Sequence, residues 1–301
     1  MIAVITITRN DGFKLKEWYE HYLEYKKETY LHIIVDNGSS PEYLAEFKKL
    51  FNDSVIIELG YNGGCTAAYN AGIRYALNDP KIDAISLMGN DIKMPEGTIT
   101  ELYKVLYSDK QYGMVAPVLL NRSNDGTIDC YGETLNRKNM NLVVLNKQKK
   151  NDEVPKILES DTLPGGCNLA SRKFYETVGL QDEKFFMYAD EVDMGIRGER
   201  LGFKFASTTN VKAWHMHINE PGAVNRNPMA AYLMGRNHIY LAKKLFGYKE
   251  VFRTVLHRMK YITIFFISCI KHNKNREEYK YAWAFGRGVW AGIVGNMKND
   301  F

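Results

Sequence analysis

Three places in this chain combine residue types that can do chemistry. The first is Gly89-Asn90-Asp91, which follows the apolar run 84–87 and precedes Pro95. It puts a short-armed carboxylate and an amide where a buried strand is expected to end. Ligands of open α/β sheets gather just beyond the carboxyl ends of the strands, and a carboxylate there can hold a divalent ion against a phosphate-bearing substrate. The plainer alternative is a strand-to-helix turn with Asn and Asp as turn residues. The second place is Asp190-Glu191-Val192-Asp193. Three acids in the first turn of a helix suit its dipole. Clustered like charges also resist ionising together, which raises pKa values and favours proton transfer. The third is His215-Met216-His217, two imidazoles on one face of a regular strand. A histidine at a strand end is ordinarily a satisfied surface residue, but it can also serve as a ligand.

Alternating elements must position these groups. The apolar runs 2–8, 31–35, 55–59, 84–87 and 114–118 have strand length. Between them, helical spacing occurs at 15–23, 43–50, 65–77 and 95–107. Strands alternating with helices of ten or more residues imply an α/β fold with a mostly parallel central sheet covered on both faces. The polar turns after Thr8, Val35, Leu59 and Leu87 then fall at one edge of that sheet. From 121 to 162 the texture becomes polar, with alternating pieces such as 141–145 suggesting a hairpin and the charged stretch 147–154 a mobile loop. Residues 164–170 read as a glycine-rich approach to another strand, and 173–178 as a helix stopped by Gly179. A helix is expected over 185–201, then two short strands at 204–206 and 211–214. Beyond Pro228 the chain reads as aromatic helices, centred on 232–241, 251–270 and 279–294.

Composition limits the function classes. The chain has 301 residues, 45% hydrophobic and 25% charged, which describes a globular protein with a sizeable core. The opening residues read as a strand rather than a signal segment. Four scattered cysteines favour reduced thiols and a cytoplasmic setting. The net charge of +5 is uneven: from Met229 onward there are 13 Lys and Arg against 4 Asp and Glu. That surplus could face an anionic membrane, a nucleic acid or an acidic partner. Nucleic acid is the weakest of these, since no nucleic-acid motif accompanies the charge. The run 262–270 is far short of the ~20 residues that cross a bilayer. With Arg253, Arg258, Lys260, Lys271 and Lys274 around it, the region 250–276 reads as either a peripheral membrane helix or a packed or homodimer-forming helix.

Taken in order, these pieces resemble the family 2 inverting glycosyltransferases of the GT-A fold, in particular a rhamnosyltransferase-like branch that builds bacterial surface polysaccharides. Ile33-Ile34-Val35-Asp36-Asn37-Gly38-Ser39 is similar to that family's Val-Val-Asp-Asn-Gly-Ser strand end. The stretch Asn62-Gly63-Gly64-Cys65-Thr66-Ala67-Ala68-Tyr69-Asn70-Ala71-Gly72 resembles its glycine-opened helix, and Asn90-Asp91 with Pro95 its acidic metal turn. Residues 185–197 resemble its acid-bearing helix, and 211–217 its late histidine strand. Arg236-Asn237-His238 and the closing Arg287, Gly288, Gly292 and Gly295 are also shared.

The resemblance implies a nucleotide-sugar-binding domain over 1–227, with a nucleotide half at 1–118 and an acceptor and catalytic half at 119–227. A basic aromatic helical region follows at 228–301. Thr8, Arg9 and Asp36 would line the nucleotide pocket, and Asn62, Gly63, Asn70, Asn90 and Asp91 would complete the donor site. Asp91, with His215 or His217, would ligate Mn²⁺ or Mg²⁺, and Glu191 would be the general base. Two departures bear on this. Only the last acid of the metal turn is retained, which implies weaker metal binding, and the Asp190-Glu191 order is transposed, so Asp190 or Asp193 are alternative bases. The implied partners are a nucleotide-diphosphate sugar and a glycan or lipid-linked acceptor, with the enzyme at the inner face of the membrane. Rival readings are a sugar-phosphate nucleotidyltransferase and a non-catalytic sugar-nucleotide-binding protein.

Overall fold

β-Branched and aliphatic runs that are apolar on both faces form strands only when helices cover each side, and this chain supplies those helices between the strands. The computed structural model describes residues 1–122, 126–216, 227–272 and 275–299. His217, Lys274 and most of the 123–126 turn lie outside them. The first half runs β1 (Ile2–Thr8), α1 (Leu15–Tyr25), β2 (Leu31–Asp36), α2 (Pro41–Leu50), β3 (Val55–Glu58), α3 (Gly64–Leu77), β4 (Ala84–Met88), β5 (Ile92–Lys93), α4 (Thr98–Leu106) and β6 (Tyr112–Asn121). The second half runs β7 (Ile128–Cys130), β8 (Glu133–Asn136), β9 (Asn141–Val144), β10 (Ile157–Ser160), β11 (Cys167–Ser171), α5 (Arg172–Val178), α6 (Asp190–Arg200) and β12 (Lys204–His215). Three helices close the chain: α7 (Pro228–Leu245), α8 (Tyr248–Lys271) and α9 (Arg276–Val294).

The main sheet has the order β10-β12-β6-β11-β4-β1-β2-β3. β1 pairs in parallel with both β2 and β4, and β2 pairs in parallel with β3. β11 runs antiparallel between β4 and β6, and β12 returns parallel to β6. The chain therefore reverses its lateral direction between β1 and β4, the crevice where ligands of such sheets bind. The pleat divides the core: Val4 and Ile34 face a cluster with Trp18, Phe47 and Leu102, while Ile5 and Ile33 face one with Ile73 and Phe174.

Several expectations change. The strands expected at 204–206 and 211–214 are one long strand, β12, with a register break between Thr208 and Lys212. The charged stretch 147–154 is held beside β7, since the Gln148 N–H donates to the Ile128 carbonyl and the Ile128 N–H to the Lys149 carbonyl. The helix expected from 185 begins only at Asp190, because Phe186, Tyr188 and Ala189 all have positive φ and cannot continue a right-handed helix. No helix among the described residues is long and apolar enough to cross a membrane.

α7 lies against α9 at very short range. A Cβ on Gly288 would sit 2.0 Å from the Tyr232 carbonyl oxygen, and one on Gly235 would sit 2.6 Å from that of Phe285. Of the closing glycines, Gly288 and Gly292 are thus points of helix contact, while Gly295 ends α9 at positive φ with open space around it.

Candidate active site

The loops after β1, β2, β3 and β4 leave the sheet together, since their strands are parallel and in register up to Thr8, Asp36, Glu58 and Met88. Side chains knit them. The Asn90 carboxamide donates to Asp11 Oδ2 at 2.7 Å, linking the β4 and β1 loops across the crevice. Thr8, buried, shares a 2.5 Å hydrogen bond with the Tyr43 hydroxyl and donates to Asp11. The Asp36 carboxylate accepts from the Gly38 and Ser39 N–H groups and so braces its own turn. Asn37 donates to Asn62 Oδ1 and accepts from the Gly63 N–H, tying the β2 and β3 loops. Arg9 is exposed at the rim. Asn70 sits deeper, buried in α3, where its carboxamide bonds both the N–H and carbonyl of Gln181 and the Glu183 carboxylate. It anchors the segment that leads to α6.

Asp91 and His215, 124 positions apart, meet because β5 pairs antiparallel with the end of β12, setting His215 opposite Ile92. Asp91 Oδ2 and His215 Nε2 are 3.6 Å apart. The other ring nitrogen, Nδ1, lies 3.3 Å from Asp129 Oδ2. Burial alone would lower the imidazole pKa, but hydrogen bonds with Asp129 and Asp91 outweigh it and push it up to about 9. Burial would raise the Asp91 carboxyl, and the hydrogen bond and charge of His215 with the charge of Lys14 instead hold it below the usual range. Asp129 escaped the sequence reading, because only the folding of β7 against β6 brings it to the histidine.

A glycine strip separates this pair from the acid cluster. The Gly89 N–H donates to the Gly166 carbonyl at 2.7 Å, and a Cβ on Gly165 would lie 3.8 Å from Glu191 Cβ. Tyr69 stands beside Gly166. Burial raises the Asp190 carboxyl well above the ordinary range, and the neighbouring Glu191 raises it further. Burial also raises Glu191, but backbone hydrogen bonds and the one from Asp190 moderate it. Burial thus raises both carboxyls, Asp190 the more strongly. Asp193 is placed differently. It is fully buried and bound by Arg197 at 2.9 Å and Lys244 at 2.8 Å. Arg197 also donates to the Val178 and Leu180 carbonyls, so Asp193 joins α6 to its neighbours.

The turn before α6 is fastened by α7. The Asn237 amide donates to the carbonyls of Phe185, Met187 and Tyr188 at 2.8–2.9 Å. The fully buried Arg236 guanidinium donates to those of Lys184 and Phe185.

A profile described as Glycosyl transferase family 2 matches residues 3–179, more than half of the chain. The chain belongs to glycosyl transferase family 2. It is a glycosyltransferase of the GT-A fold, and the nucleotidyltransferase reading falls with that finding. The chain is 26% identical over 226 residues to the low-salt glycan biosynthesis hexosyltransferase Agl10 of Haloferax volcanii, covering 71% of this chain and 68% of that protein. Two solved structures share the fold. One is GalNAc-T7 with UDP, GalNAc and Mn²⁺, at TM-score 0.59 and 15% identity; the match spans 81% of this chain but only 48% of that one. The other is the mannosyltransferase PcManGT of Pyrobaculum calidifontis with GDP-Man and Mn²⁺, at TM-score 0.55 and 12% identity, covering all of this chain and 88% of that one. The acids of α6 and His215 lie beyond the residues matched by the family profile.

A divalent ion is compatible with the donor set at Asp91 and His215. A carboxylate oxygen and an imidazole nitrogen face each other, a combination that suits Mn²⁺ better than the all-oxygen preference of Mg²⁺. Among the described residues, no group of three or more His, Cys, Asp and Glu side chains could hold an ion. Among the described residues, Asp91 and His215 are the pair that would contribute to such an ion.

Proposed function

We propose that this glycosyltransferase moves a hexosyl or deoxyhexosyl residue from a nucleotide-diphosphate sugar to a hydroxyl of a glycan or lipid-linked acceptor, with inversion, in the assembly of a cell-surface glycan. The observation that carries the proposal is the pairing of Asp91 and His215 on one side of the Gly165-Gly166 strip with Asp190 and Glu191 on the other. The nucleotide rests on the loops after β1–β3, with Thr8, Arg9 and Asp36 around the base and ribose, and Asn62 and Gly63 beside the donor. Asp91 and His215 would hold Mn²⁺ or Mg²⁺, which would supply countercharge to the diphosphate.

Glu191 accepts the proton of the acceptor hydroxyl as that oxygen attacks the anomeric carbon from the face opposite the diphosphate. One displacement forms the new C–O bond, breaks the bond to the diphosphate oxygen and inverts the centre. Asp190, holding its own proton, keeps Glu191 oriented and partly neutralises the pair. The glycine strip allows the sugar to lie between the two groups, since side chains at 165 and 166 would project into that space.

Glu191→Gln should lower transfer by roughly 10²–10⁴-fold, the usual contribution of a general base, while leaving nucleotide-induced thermal stabilisation in place. Asp91→Asn should remove the added stabilisation that Mn²⁺ gives in a screen of UDP-, GDP- and dTDP-sugars. Transfer at the wild-type rate by both variants would sink the assignment. Nucleotide binding with no transfer by the wild type would instead favour a non-catalytic binding protein.

A further inference from the structure

We propose that the outer face of α8 and α9 docks on a lipid bilayer containing anionic headgroups. On α8, Phe252, Leu256, Met259, Thr263, Ile267 and Ile270 follow each other at steps of three and four and form one stripe. The stripe faces outward: Phe252 is 65% exposed and Ile270 71%. On α9, Trp283 and Trp290 are seven residues apart, hence on one side of the helix, and are 67% and 66% exposed. The two stripes meet at an apolar groove of about 860 Å³, lined by Phe266, Ile267, Trp283 and Trp290 among others. An open apolar surface of this extent marks an interaction site.

Charge selects the partner. At roughly 100° per residue, Lys249, Lys260 and Lys271 all fall within about a quarter turn of the α8 stripe, and all on the same side of it. Arg276 and Arg287 lie along the tryptophan stripe of α9. These five cations are exposed. Arg253 and Lys280 sit nearby but pair with Glu250 and Glu277 of their own helices. Glu250 lies away from the α8 stripe, and Glu277 and Glu278 away from the α9 stripe. Apolar and aromatic side chains bordered by lysine and arginine match a helix lying at the headgroup–acyl boundary, with cations at the phosphates and rings just beneath. A second copy of the chain fits worse, because a two-fold pairing of this face would bring its cations against one another. Neither helix crosses the membrane; both lie along it, and the groove receives acyl chain.

The test uses the full chain and sedimentation with vesicles of phosphatidylcholine alone or mixed with phosphatidylglycerol. Binding is expected only to the anionic vesicles, with a blue shift of tryptophan emission and weakening by salt. Each of Lys249→Gln, Lys260→Gln and Lys271→Gln should weaken binding about five-fold. The double variant Trp283→Ser, Trp290→Ser should lose both binding and emission shift. Equal binding to both vesicle types, no binding by the wild type, or a lipid-free dimer that shields the tryptophans would each overturn the proposal. The wild-type comparison does not depend on any variant folding. Donor hydrolysis is measured without lipid, so failure here leaves the transfer chemistry standing.

Discussion

Replacing Asn237 with leucine keeps the branched shape of the side chain and removes the amide that fastens the turn before α6. That amide serves three carbonyl oxygens. Phe185 retains a donor from Arg236 at 3.2 Å, but the carbonyls of Met187 and Tyr188 lose theirs. A buried carbonyl without its partner costs about 1–3 kcal/mol, so the two together amount to about 2–6 kcal/mol. The same turn holds Phe186, Tyr188 and Ala189 at φ of 67°, 68° and 66°, each a strain of about 1–3 kcal/mol. The hydrogen bonds lost and the strain they hold are thus of similar size. The turn should relax, while the sheet, which makes no use of Asn237, stays folded. Asp190 and Glu191 begin the next helix and would move with it. A displacement of about 1 Å at a reacting group lowers the rate by about 10²-fold. Asn237→Leu should therefore reduce kcat by one to two orders of magnitude, with a smaller change in donor KM. Thermal unfolding and steady-state transfer, measured on the same preparation, decide it. Lost stability with unchanged kcat would refute the reasoning, because Asn237 would then support the fold without positioning the acids.

Two other outcomes test neighbouring features. Glu133 is buried, and desolvation, followed by the charge of Glu191, raises its carboxyl to about 8. The folded state then keeps a proton that the unfolded chain releases above pH 4.5, so this group favours unfolding progressively as pH rises from 4.5 to 8. Relative to Glu133→Gln, the wild type should lose about 3 kcal/mol of stability between pH 4.5 and 7; parallel denaturation curves at both pH values would contradict this. Gly64 opens α3 at φ 74°, and an added Cβ would lie 2.3 Å from the Phe186 carbonyl oxygen. Gly64→Ala should destabilise by about 2–4 kcal/mol and weaken both donor binding and kcat, since it presses the donor turn into the turn before α6.

Local pattern made much of the fold legible. Apolar runs of strand length and period-3.6 spacing placed β1 to β4, α1 to α4 and β6, though not the short β5, and the polar residues after each strand marked the shared edge, because parallel strands all end on one side. Similarity to family motifs singled out Asp91, the acid cluster and the pair His215 and His217 as candidates, of which His217 lies outside the described residues. Side-chain roles within α6 were less legible. Asp190, Glu191 and Asp193 read as one acidic cluster in the sequence, and only Lys244 of α7 and Arg197 separate Asp193 from it. The α6 start was misplaced for a related reason. Phe186, Tyr188 and Ala189 have no local preference for positive φ, and donors some fifty residues away hold them there.

By itself, then, the order of residues marked most strands and helices of the first half and the polar turns whose residue types could do chemistry, since each depends on neighbours within a few positions. The tertiary structure decided which of those turns meet. The pairing of β5 with β12 joins Asp91 to His215, β7 adds Asp129, and the Gly89–Gly166 hydrogen bond sets that group beside Glu191. Those contacts span tens to more than a hundred residues, and strand pairing and packing fix them where no local rule reaches.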